Sequence, residues 1–447
     1  MDNKNLELYQ QIMNTPESDF EKLFEFIHPS DILEIIHDDE IEFNRYEFLN
    51  LLPTDFLVEL LNEAEEEDKY ELLTQIDRSK HVNILEDMAS DELVDMILTL
   101  DEDIQDELIE SLNPDDQIEI EQLLTYEPDS AGGIMQTEFI NIYDNKTVAK
   151  VYKYLREIKE DVENVYTLFV VDRQNHLKGT LTLDSLVTSE LDENVMEIIN
   201  PNVITVNYKM DQEDVILEFE KYNLAVMPVV DDENRMIGII TFDDILEIMQ
   251  EEATADIHQL GGVNPEETVD SSVIETIKSR LPWLIINLFT AFLASYVITF
   301  FSSAIAQVVA LAAIMPIISG MGGNVGTQTL TLITRSIALG ELDKKNLKTS
   351  LIKEIGAAIF NGLVIAFFTG LIGYFISGNY TLGLIVALAM ILNTLVAVVA
   401  GFFVPYILDS LHIDPAISSG VFVTACTDVF GFLFLLGLAT VVIERLI

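Results

Sequence analysis

The stretch that decides the fold is PIISGMGGNVGTQTLTLITR, residues 316–335, which places four glycines, a proline and several polar side chains in an otherwise apolar region. No charged residue occurs in residues 281–334 or in residues 355–408. Since a bilayer span needs about 20 apolar residues, each run predicts two membrane helices. Residues 415–443, interrupted only by Asp428, predict a fifth.

The charge of the chain is distributed unevenly. The formal net charge is -52 over 447 residues, and nearly all of it lies on residues 1–280. This sign argues against nucleic acid as a partner, because phosphates attract Lys and Arg, and it favours cations. The lysine-rich loop ELDKKNLKTSLIKE, residues 341–354, and Arg280 indicate the cytoplasmic side by the positive-inside rule. We therefore predict a multi-pass cell-membrane protein with a cytoplasmic N-terminus and, after five spans, an external C-terminus.

Residues 1–130 show short helical modules whose openings recur. Each opening places residues that favour a helix start before an amphipathic run. The openings are HPSDILEII from His28, LPTDFLVEL from Leu52, MASDELVDMI from Met88 and LNPDDQIEI from Leu112. Stacked short helices of this kind predict an all-α superhelical domain.

Residues 131–250 change to a strand and helix pattern that occurs twice. LFVVDRQNHLKGTLTLDSL from Leu168 aligns with MPVVDDENRMIGIITFDDI from Met227 at a constant offset of 59. The first copy carries five extra residues in its helix-to-strand loop. The repeat resembles a tandem pair of cystathionine-β-synthase (CBS) domains, an α/β fold, at about 135–198 and 199–250.

The CBS resemblance implies adenine nucleotides such as ATP as candidate ligands. The usual ribose contact resembles Ser/Thr-x-x-Asp, which the second copy has as Thr241 and Asp244, whereas the first copy has Thr182 and Ser185. A CBS pair that binds no nucleotide is the alternative.

The acidic region contains pairs of like charges at helical spacing. These are Asp91 with Asp95, Asp244 with Glu247, and Glu252 with Asp256. One interpretation is a solvated acidic face. The other is a set of carboxylate sites for a hard divalent cation, which the density of charge favours, since such ions would draw two repelling domains together. EEATADIHQLGG from Glu251, with the polar segment after it, predicts one connecting helix over residues 251–280, ahead of a five-helix membrane domain over 281–447.

Asp428 lies near the middle of the fifth span. A carboxylate there costs about 2.5 to 3.5 kcal/mol on insertion scales, so a functional role is the default. The alternative is a structural Asp that bonds to Thr424 or Thr427.

Pro316 and the glycines that follow it predict a break in the second span. Irregular backbone at membrane depth is tolerated where it lines a cavity. Asn324, Thr327, Gln328 and Thr331 would make the cavity wall polar but uncharged. A close helix crossing through small residues is the alternative.

Two catalytic motifs do not occur in the sequence. It has no His-Glu-x-x-His and no Gly-rich phosphate loop ending in Lys-Ser/Thr. These patterns would mark a membrane metalloprotease and an ATP-driven motor. We therefore predict no enzyme activity, and transport that runs downhill or on a gradient.

Four motifs resemble the MgtE family of magnesium channels. They are Pro-x-x-x-Gly-x-Gly-Gly-Asn-x-Gly-x-Gln from Pro316, Asp-Pro-Ala from Asp414, Thr-Asp-Val-x-Gly from Thr427 and EPDSAGGIM from Glu127. The resemblance covers essentially the whole chain in order. It implies a homodimer in membrane lipid that conducts hydrated Mg²⁺ along the dimer axis and closes when cytoplasmic Mg²⁺ binds between the N and CBS domains. A Na⁺- or H⁺-coupled divalent cation transporter and a CBS nucleotide-regulated membrane protein are the alternatives.

The resemblance also implies roles for individual residues. The implied pore positions are Asp428, Gly323, Asn324, Thr327 and Thr331, with Asp414 at the cytoplasmic mouth. The implied regulatory metal positions are Glu59, Asp91, Asp95, Glu213, Asp244, Glu247, Glu252 and Asp256. Thr327, Ala255 and Asn223 depart from the family pattern, which has an amide, an acid and an Asp there. Because Mg²⁺ keeps most of its water shell, one Asp per subunit suits a hydrated ion.

Overall fold

The computed structural model describes residues 2–16, 19–24, 26–38, 41, 43–157, 167–265, 267–269, 271–342, 345–416 and 419–446. The chain divides into two compact units, Met1–Glu247 and Ile248–Ile447. Residues 158–166 lie outside the described residues, and they include the loop that was predicted to carry the insertion of the first CBS copy. Lys344 also lies outside them.

The N-terminal part of the first unit is all-helical, as predicted. Its helices are α1 Asp2–Asn14, α2 Phe20–Phe24, α3 Pro29–Ile36, α4 Arg45–Leu51, α5 Thr54–Asn62, α6 Glu66–Thr74, α7 Arg78–Asp87, α8 Ser90–Leu98, α9 Glu102–Ser111 and α10 Pro114–Leu123. Helices two apart in sequence pack on each other, including α3 on α5, α5 on α7 and α6 on α8. The Asn113 side chain accepts from the first free N–H groups of α10 and caps it.

Two copies of one α/β fold follow, and the last helix of the second copy extends past Glu247, the end of the first unit. The elements are β1 Asn141–Tyr143, α11 Val148–Glu157, β2 Thr167–Val171, β3 Leu177–Thr182, α12 Leu183–Thr188, α13 Val195–Ile198, β4 Val206–Asn207, α14 Gln212–Tyr222, β5 Val226–Val230, β6 Met236–Thr241 and α15 Phe242–Leu260. In the described residues they form sheets of order β1-β2-β3 and β4-β5-β6. In each sheet the first pair is parallel and the second antiparallel.

The two copies agree in detail, which confirms the offset of 59. Asn175 and Asn234 both adopt a φ of 62° in the turn between the antiparallel strands. Asp172 and Asp231 each accept hydrogen bonds from the backbone N–H groups two and four residues later. One Asp side chain therefore closes each turn in the same way.

The connecting segment is not one helix, so the prediction over residues 251–280 is wrong. Helix α15 ends at Leu260, and Gly262 adopts a left-handed φ of 73° that ends the helical path. A new helix, α16 Val273–Phe300, begins after Ser272, whose side chain forms a capping box with Glu275. The last residues of the predicted connection are therefore the first turns of the first membrane helix.

The second unit contains the membrane helices. After α16 come α17 Ser302–Gln307, α18 Ala310–Ala338, α19 Leu347–Ser377, α20 Tyr380–Ser410 and α21 Ser419–Val441, followed by a 3-10 turn, Ile443–Arg445. Among the described residues, five helices are long and apolar enough to span a bilayer, and they are α16, α18, α19, α20 and α21. This confirms the predicted five spans. Helices α18, α19 and α21 pack around α20, whereas α16 buries only Ala294.

The predicted break at Pro316 is wrong, because α18 runs without interruption from Ala310 to Ala338. Two of its glycines provide close helix contacts instead. A Cβ atom on Gly322 would lie 2.2 Å from the Asn393 side chain, and one on Gly326 would lie 2.4 Å from Val423. Since unpaired backbone groups are costly in lipid, the glycines favour tight packing of a continuous helix, which was the alternative interpretation.

Gly401 tests this packing. A Cβ atom there would lie 2.6 Å from the Gly326 carbonyl oxygen and 3.1 Å from the Leu330 nitrogen, whereas one on Gly356 would meet no atom within 4 Å. We expect Gly401→Ala to destabilise the membrane domain by about 1 to 3 kcal/mol, because α18 and α20 must separate. Gly356→Ala should leave it equally stable or stabilise it by up to about 1 kcal/mol. Circular dichroism during thermal unfolding in detergent gives the melting temperature of each variant. Equal melting temperatures of Gly401→Ala and Gly356→Ala would contradict the assigned close packing of α18 and α20.

Candidate ion path and acidic clusters

Asp428 of α21 contacts α18. The Ser319 hydroxyl donates a hydrogen bond to the Asp428 carboxylate. The alternative interpretation expected Asp428 to bond to Thr424 or Thr427. The Thr427 hydroxyl instead donates to the Thr424 carbonyl at 2.9 Å, and the partner of Asp428 is Ser319. The carboxylate is half-buried and lies where α18 and α21 meet. The sequence did not predict this contact of Ser319 with Asp428.

A polar stripe runs along the exposed side of α18. Its members lie three or four residues apart, so they share one helical face, and each of them is exposed. They are Gly320, Asn324, Thr327, Gln328 and Thr331. Gly323 lies beside the stripe and is half-buried. The structure thus brings the predicted pore residues of α18 onto one continuous uncharged surface next to the Ser319–Asp428 contact.

Asn393 of α20 is a residue that the sequence reasoning missed. Its side chain is fully buried, and its Nδ2 atom donates to the Ile318 carbonyl at 3.0 Å. Its Oδ1 atom has no hydrogen-bond partner among the described residues. Gly322 and Gly431 leave the space that this amide occupies. The signal was available, since Asn393 is an amide in the uncharged run 355–408.

Asp414 and Asp256 approach each other within the second unit. Asp414 precedes α21, and its Oδ1 atom accepts from the Ala416 N–H at 2.7 Å. Burial raises the pKa of Asp256, the charge of Asp414 raises it further, and Arg335 opposes both. The Arg335 guanidinium lies 3.4 Å from the Asp256 carboxylate. A predicted regulatory residue, a predicted mouth residue and an unforeseen arginine therefore form one charged group.

Asp91 and Asp244 approach each other within the first unit. Asp91 lies in the first turn of α8 and is only 7% exposed. Burial raises its pKa well above the ordinary 3.8, and the charges of Asp244, Glu138 and Asp95 act in the same direction. Two sequence-predicted pairs, Asp91 with Asp95 and Asp244 with Glu247, thus contribute to one region. Glu138, held by a hydrogen bond of 3.0 Å from the Ser90 hydroxyl, was not predicted.

Lys69 of α6 lies in the same acidic region. Its ammonium forms an ion pair with Glu92 of α8. Burial lowers the pKa of Lys69, whereas Asp95, Glu66, Glu247 and Asp91 oppose this shift. The region defined by Lys69 and these carboxylates is called the α6–α8 acidic cluster below.

The other predicted regulatory residues lie elsewhere. Glu59 is exposed on α5, Glu213 is exposed in the first turn of α14, and Glu252 is half-buried on α15. Within the described part of the chain, no three His, Cys, Asp or Glu side chains lie close enough to hold a metal ion. The carboxylate pairs described above match the one or two carboxylates through which a partly hydrated Mg²⁺ is usually bound.

The candidate nucleotide residues already bond to each other. The backbone N–H and the hydroxyl of Thr241 both donate to Asp244 Oδ2, at 3.1 and 2.6 Å. Thr241 is buried. In the first CBS copy, the Thr182 and Ser185 hydroxyls lie 2.9 Å apart. A ribose would therefore have to displace the Thr241–Asp244 hydrogen bond.

The raised pKa of Asp91 predicts a pH dependence in the absence of metal. Because the folded unit holds this proton more tightly than the unfolded chain, its stability falls as pH rises above 3.8 and through the raised pKa. Asp91→Asn should remove this loss and stabilise the unit at neutral pH by on the order of 1 kcal/mol. Circular dichroism melts of the full chain in EDTA measure the effect. Glu107→Gln, on the exposed face of α9, is the control, and the same pH profile in wild type and Asp91→Asn would contradict the assignment.

Family models match this architecture in the same order. The intracellular N domain of MgtE matches residues 27–129, and the CBS domain model matches residues 131–192 and 195–251. The MgtE model, described as a divalent cation transporter, matches residues 315–438. Together with the five spans, these matches define a multi-pass membrane transporter for divalent cations.

Whole-chain relatives specify the family. The magnesium transporter MgtE of Thermus thermophilus is 36% identical over 329 residues, which cover 73% of each chain. That of Bacillus subtilis is 33% identical over 327 residues, 73% of this chain and 72% of the relative. That of Enterococcus faecalis is 34% identical over 326 residues, 72% of this chain and 71% of the relative. The chain belongs to the MgtE family of magnesium transporters.

Two solved structures resemble the N-terminal part of the chain, which holds the helical domain and the CBS pair. The cytosolic domain of the Mg²⁺ channel MgtE in complex with ATP has a TM-score of 0.50 at 33% identity, and covers 55% of this chain and 99% of that one. The soluble part of a magnesium transporter has a TM-score of 0.51 at 30% identity, and covers 56% of this chain and 98% of that one. They support the helical N domain and CBS pair of the predicted fold class.

Proposed function

We propose that the chain forms a homodimeric channel that mediates Mg²⁺ uptake across the cell membrane. The observation that carries this proposal is the Asp428 carboxylate beside the exposed polar stripe of α18. A carboxylate within a span is costly, so its presence there marks a functional site such as an ion pathway. Here it would supply the charge that attracts the cation, while Gly323, Asn324, Thr327 and Thr331 supply an uncharged wall.

The chemistry of the wall suits a hydrated ion. Mg²⁺ releases its water reluctantly and is usually met through one or two carboxylates. Two Asp428 side chains related by a two-fold axis would meet this requirement. Hydroxyl and amide groups on the stripe would bond to the water shell rather than to the metal. Asp414 would attract ions at the cytoplasmic end of the same path.

A second copy of the chain would cover the stripe. Exposed Asn324, Gln328 and the hydroxyls beside them are unfavourable against lipid, since hydrocarbon offers them no hydrogen bonds. Two copies related by a two-fold axis are the commonest assembly of identical chains. Facing stripes would enclose a polar path, and the exposed apolar surface of α16 would face lipid or the partner.

Cytoplasmic Mg²⁺ would close this channel through the acidic clusters. Asp91 and Asp244 approach each other although both would carry negative charge, so an ion between them would favour the closed arrangement. A ligand shifts such an equilibrium only when it binds one state better. The group of Asp256, Asp414 and Arg335 would connect α15 with the end of the pore. Glu59, Glu213 and Glu252 would add ions at further sites.

Basic residues support the proposed orientation. Arg280 lies near the start of the first span, Arg335 near the end of the second, and Lys348 at the start of the third. The positive-inside rule places these ends in the cytoplasm. The N-terminus would then be cytoplasmic and the C-terminus external.

ATP is a further proposed ligand of the CBS pair, because a solved relative carries it. Thr241 and Asp244 would be its contacts after their mutual hydrogen bond is exchanged. If the chain is instead a membrane protein regulated by nucleotide alone, we expect ATP without Mg²⁺ to change protease protection of the cytoplasmic region. A transporter coupled to Na⁺ or H⁺ predicts that Mg²⁺ flux depends on those gradients.

Asp428 tests the pore. Asp428→Asn should reduce Mg²⁺ flux into liposomes by about 100-fold or more, because a single amide replaces a charge worth several kcal/mol to a cation in low dielectric. Flux is measured with an internal Mg²⁺ indicator, and gel filtration verifies that the variant remains a folded assembly. Ser319→Ala, which keeps the carboxylate, should lose much less. Normal flux in Asp428→Asn would reject the pore assignment.

The acidic clusters test the regulation. Neutralising Asp91, Asp95 and Glu252 together should leave current flowing at high internal Mg²⁺, because the ion would lose its preference for the closed state. Patch recordings at several internal Mg²⁺ concentrations measure inhibition. We expect the half-inhibiting concentration to rise by about tenfold or more. Unchanged inhibition would mean that these carboxylates are a solvated face.

A further inference from the structure

Lys69 is unusual in its burial. It lies in the middle of α6 and is only 2% exposed. Among the described residues, no other lysine or arginine is buried to this degree. Lysine is almost never fully buried unless it is paired. A role for its charge is therefore expected.

The surroundings of Lys69 are carboxylates from three helices. The ammonium pairs with Glu92 of α8. The other carboxylates that act on its charge are Glu66 of α6, Asp91 and Asp95 of α8, and Glu247 of α15. Geometry joins the same parts, because the Ser90 hydroxyl at the start of α8 donates to Glu138 and accepts from the Thr137 N–H, and the adjacent Gln136 pairs with Ile239 of β6. The helical N domain and the second CBS copy therefore both contribute negative charge around one ammonium.

This arrangement has a direct electrostatic consequence. Carboxylates on facing surfaces repel, and the repulsion is screened less where the groups are buried. A cation at the contact offsets it. Free Mg²⁺ provides such a charge only when its concentration is high, whereas a lysine ammonium is present at every ion concentration.

We propose that Lys69 is a built-in counter-cation that holds the helical domain against the second CBS domain and thereby sets how much cytoplasmic Mg²⁺ the closure requires. This inference rests on the proposed closure by Mg²⁺. The lysine supplies part of the positive charge of the closed state. Mg²⁺ supplies the remainder.

Removing the ammonium should therefore enlarge the response to Mg²⁺. In Lys69→Gln the α6–α8 acidic cluster is one unit more negative, so the ion-free closed arrangement is less populated. The same change makes the closed arrangement a better Mg²⁺ site. A larger difference in affinity between the two states gives a larger shift in their populations.

Limited proteolysis of the full-length protein in lipid nanodiscs measures this. Without Mg²⁺, cleavage between the helical domain and the CBS pair should be about tenfold faster in Lys69→Gln than in wild type, since close charge pairs at interfaces commonly contribute at least this factor. Saturating Mg²⁺ should return the variant to the wild-type rate. Lys69→Arg, which keeps the charge, should remain near wild type in both conditions.

Two controls separate charge from packing. Lys80 of α7 is also partly buried, but it donates to the carbonyls of Asn50 and Leu52 at 3.4 and 3.0 Å. Lys80→Gln should therefore leave the ion-free cleavage rate unchanged. The double variant Lys69→Gln/Glu92→Gln restores the net charge of the cluster, and it should recover most of the ion-free protection.

Three results would overturn the proposal. They are ion-free cleavage of Lys69→Gln at the wild-type rate, fast cleavage that Mg²⁺ does not slow although wild type responds, and no recovery in the double variant. If wild type itself does not respond to Mg²⁺, the proposed regulation fails. The ion-free comparison of Lys69→Gln with Lys80→Gln and the double variant then still decides whether Lys69 is the counter-cation.

Discussion

Inside a bilayer, a backbone group that is not bonded within the protein has no water to replace the lost partner. This constraint explains why α18 stays helical through a proline and four glycines, a composition that would favour irregular structure in water. Continuity has a geometric result. Gly322 and Gly326 turn inward and let α20 and α21 approach, while Asn324, Thr327 and Thr331 turn outward as one stripe. The proposed ion path depends on that division of one helix into a packed face and a polar face.

The acidic region faces a different constraint, because its like charges lie close to one another. Asp91 is buried near Asp244 and Glu138, an arrangement that favours protonation or a nearby cation. Lys69 offers such a cation from within the chain. Arg335 plays a comparable part beside Asp256 and Asp414 at the membrane unit. Fixed cations and diffusible divalent ions would then share one task, which connects the composition of the first 280 residues to regulation.

Much of the architecture follows from local patterns. Uncharged runs predict spans, capped amphipathic segments predict helices, and a constant offset of 59 predicts two copies of one fold with matching turns. The errors arise where local preference and tertiary context disagree. The glycines after Pro316 predicted a break, but packing against Asn393 and Val423 favours the helix. The opposite error occurred at Gly262. The polar segment around it was predicted to be one continuous helix, but Gly262 has a left-handed φ that ends α15.

The sequence by itself determined the class of protein, the order of its domains and the presence of one carboxylate within a span, because these depend on composition and on periods of a few residues. Only the tertiary structure decided the partners. Ser319 and Asp428 are 109 positions apart, and Lys69 meets carboxylates from α8 and α15. No local pattern predicts such meetings, since they depend on how complete helices pack. The chemistry of the proposed path and of its regulation lies in these long-range pairings.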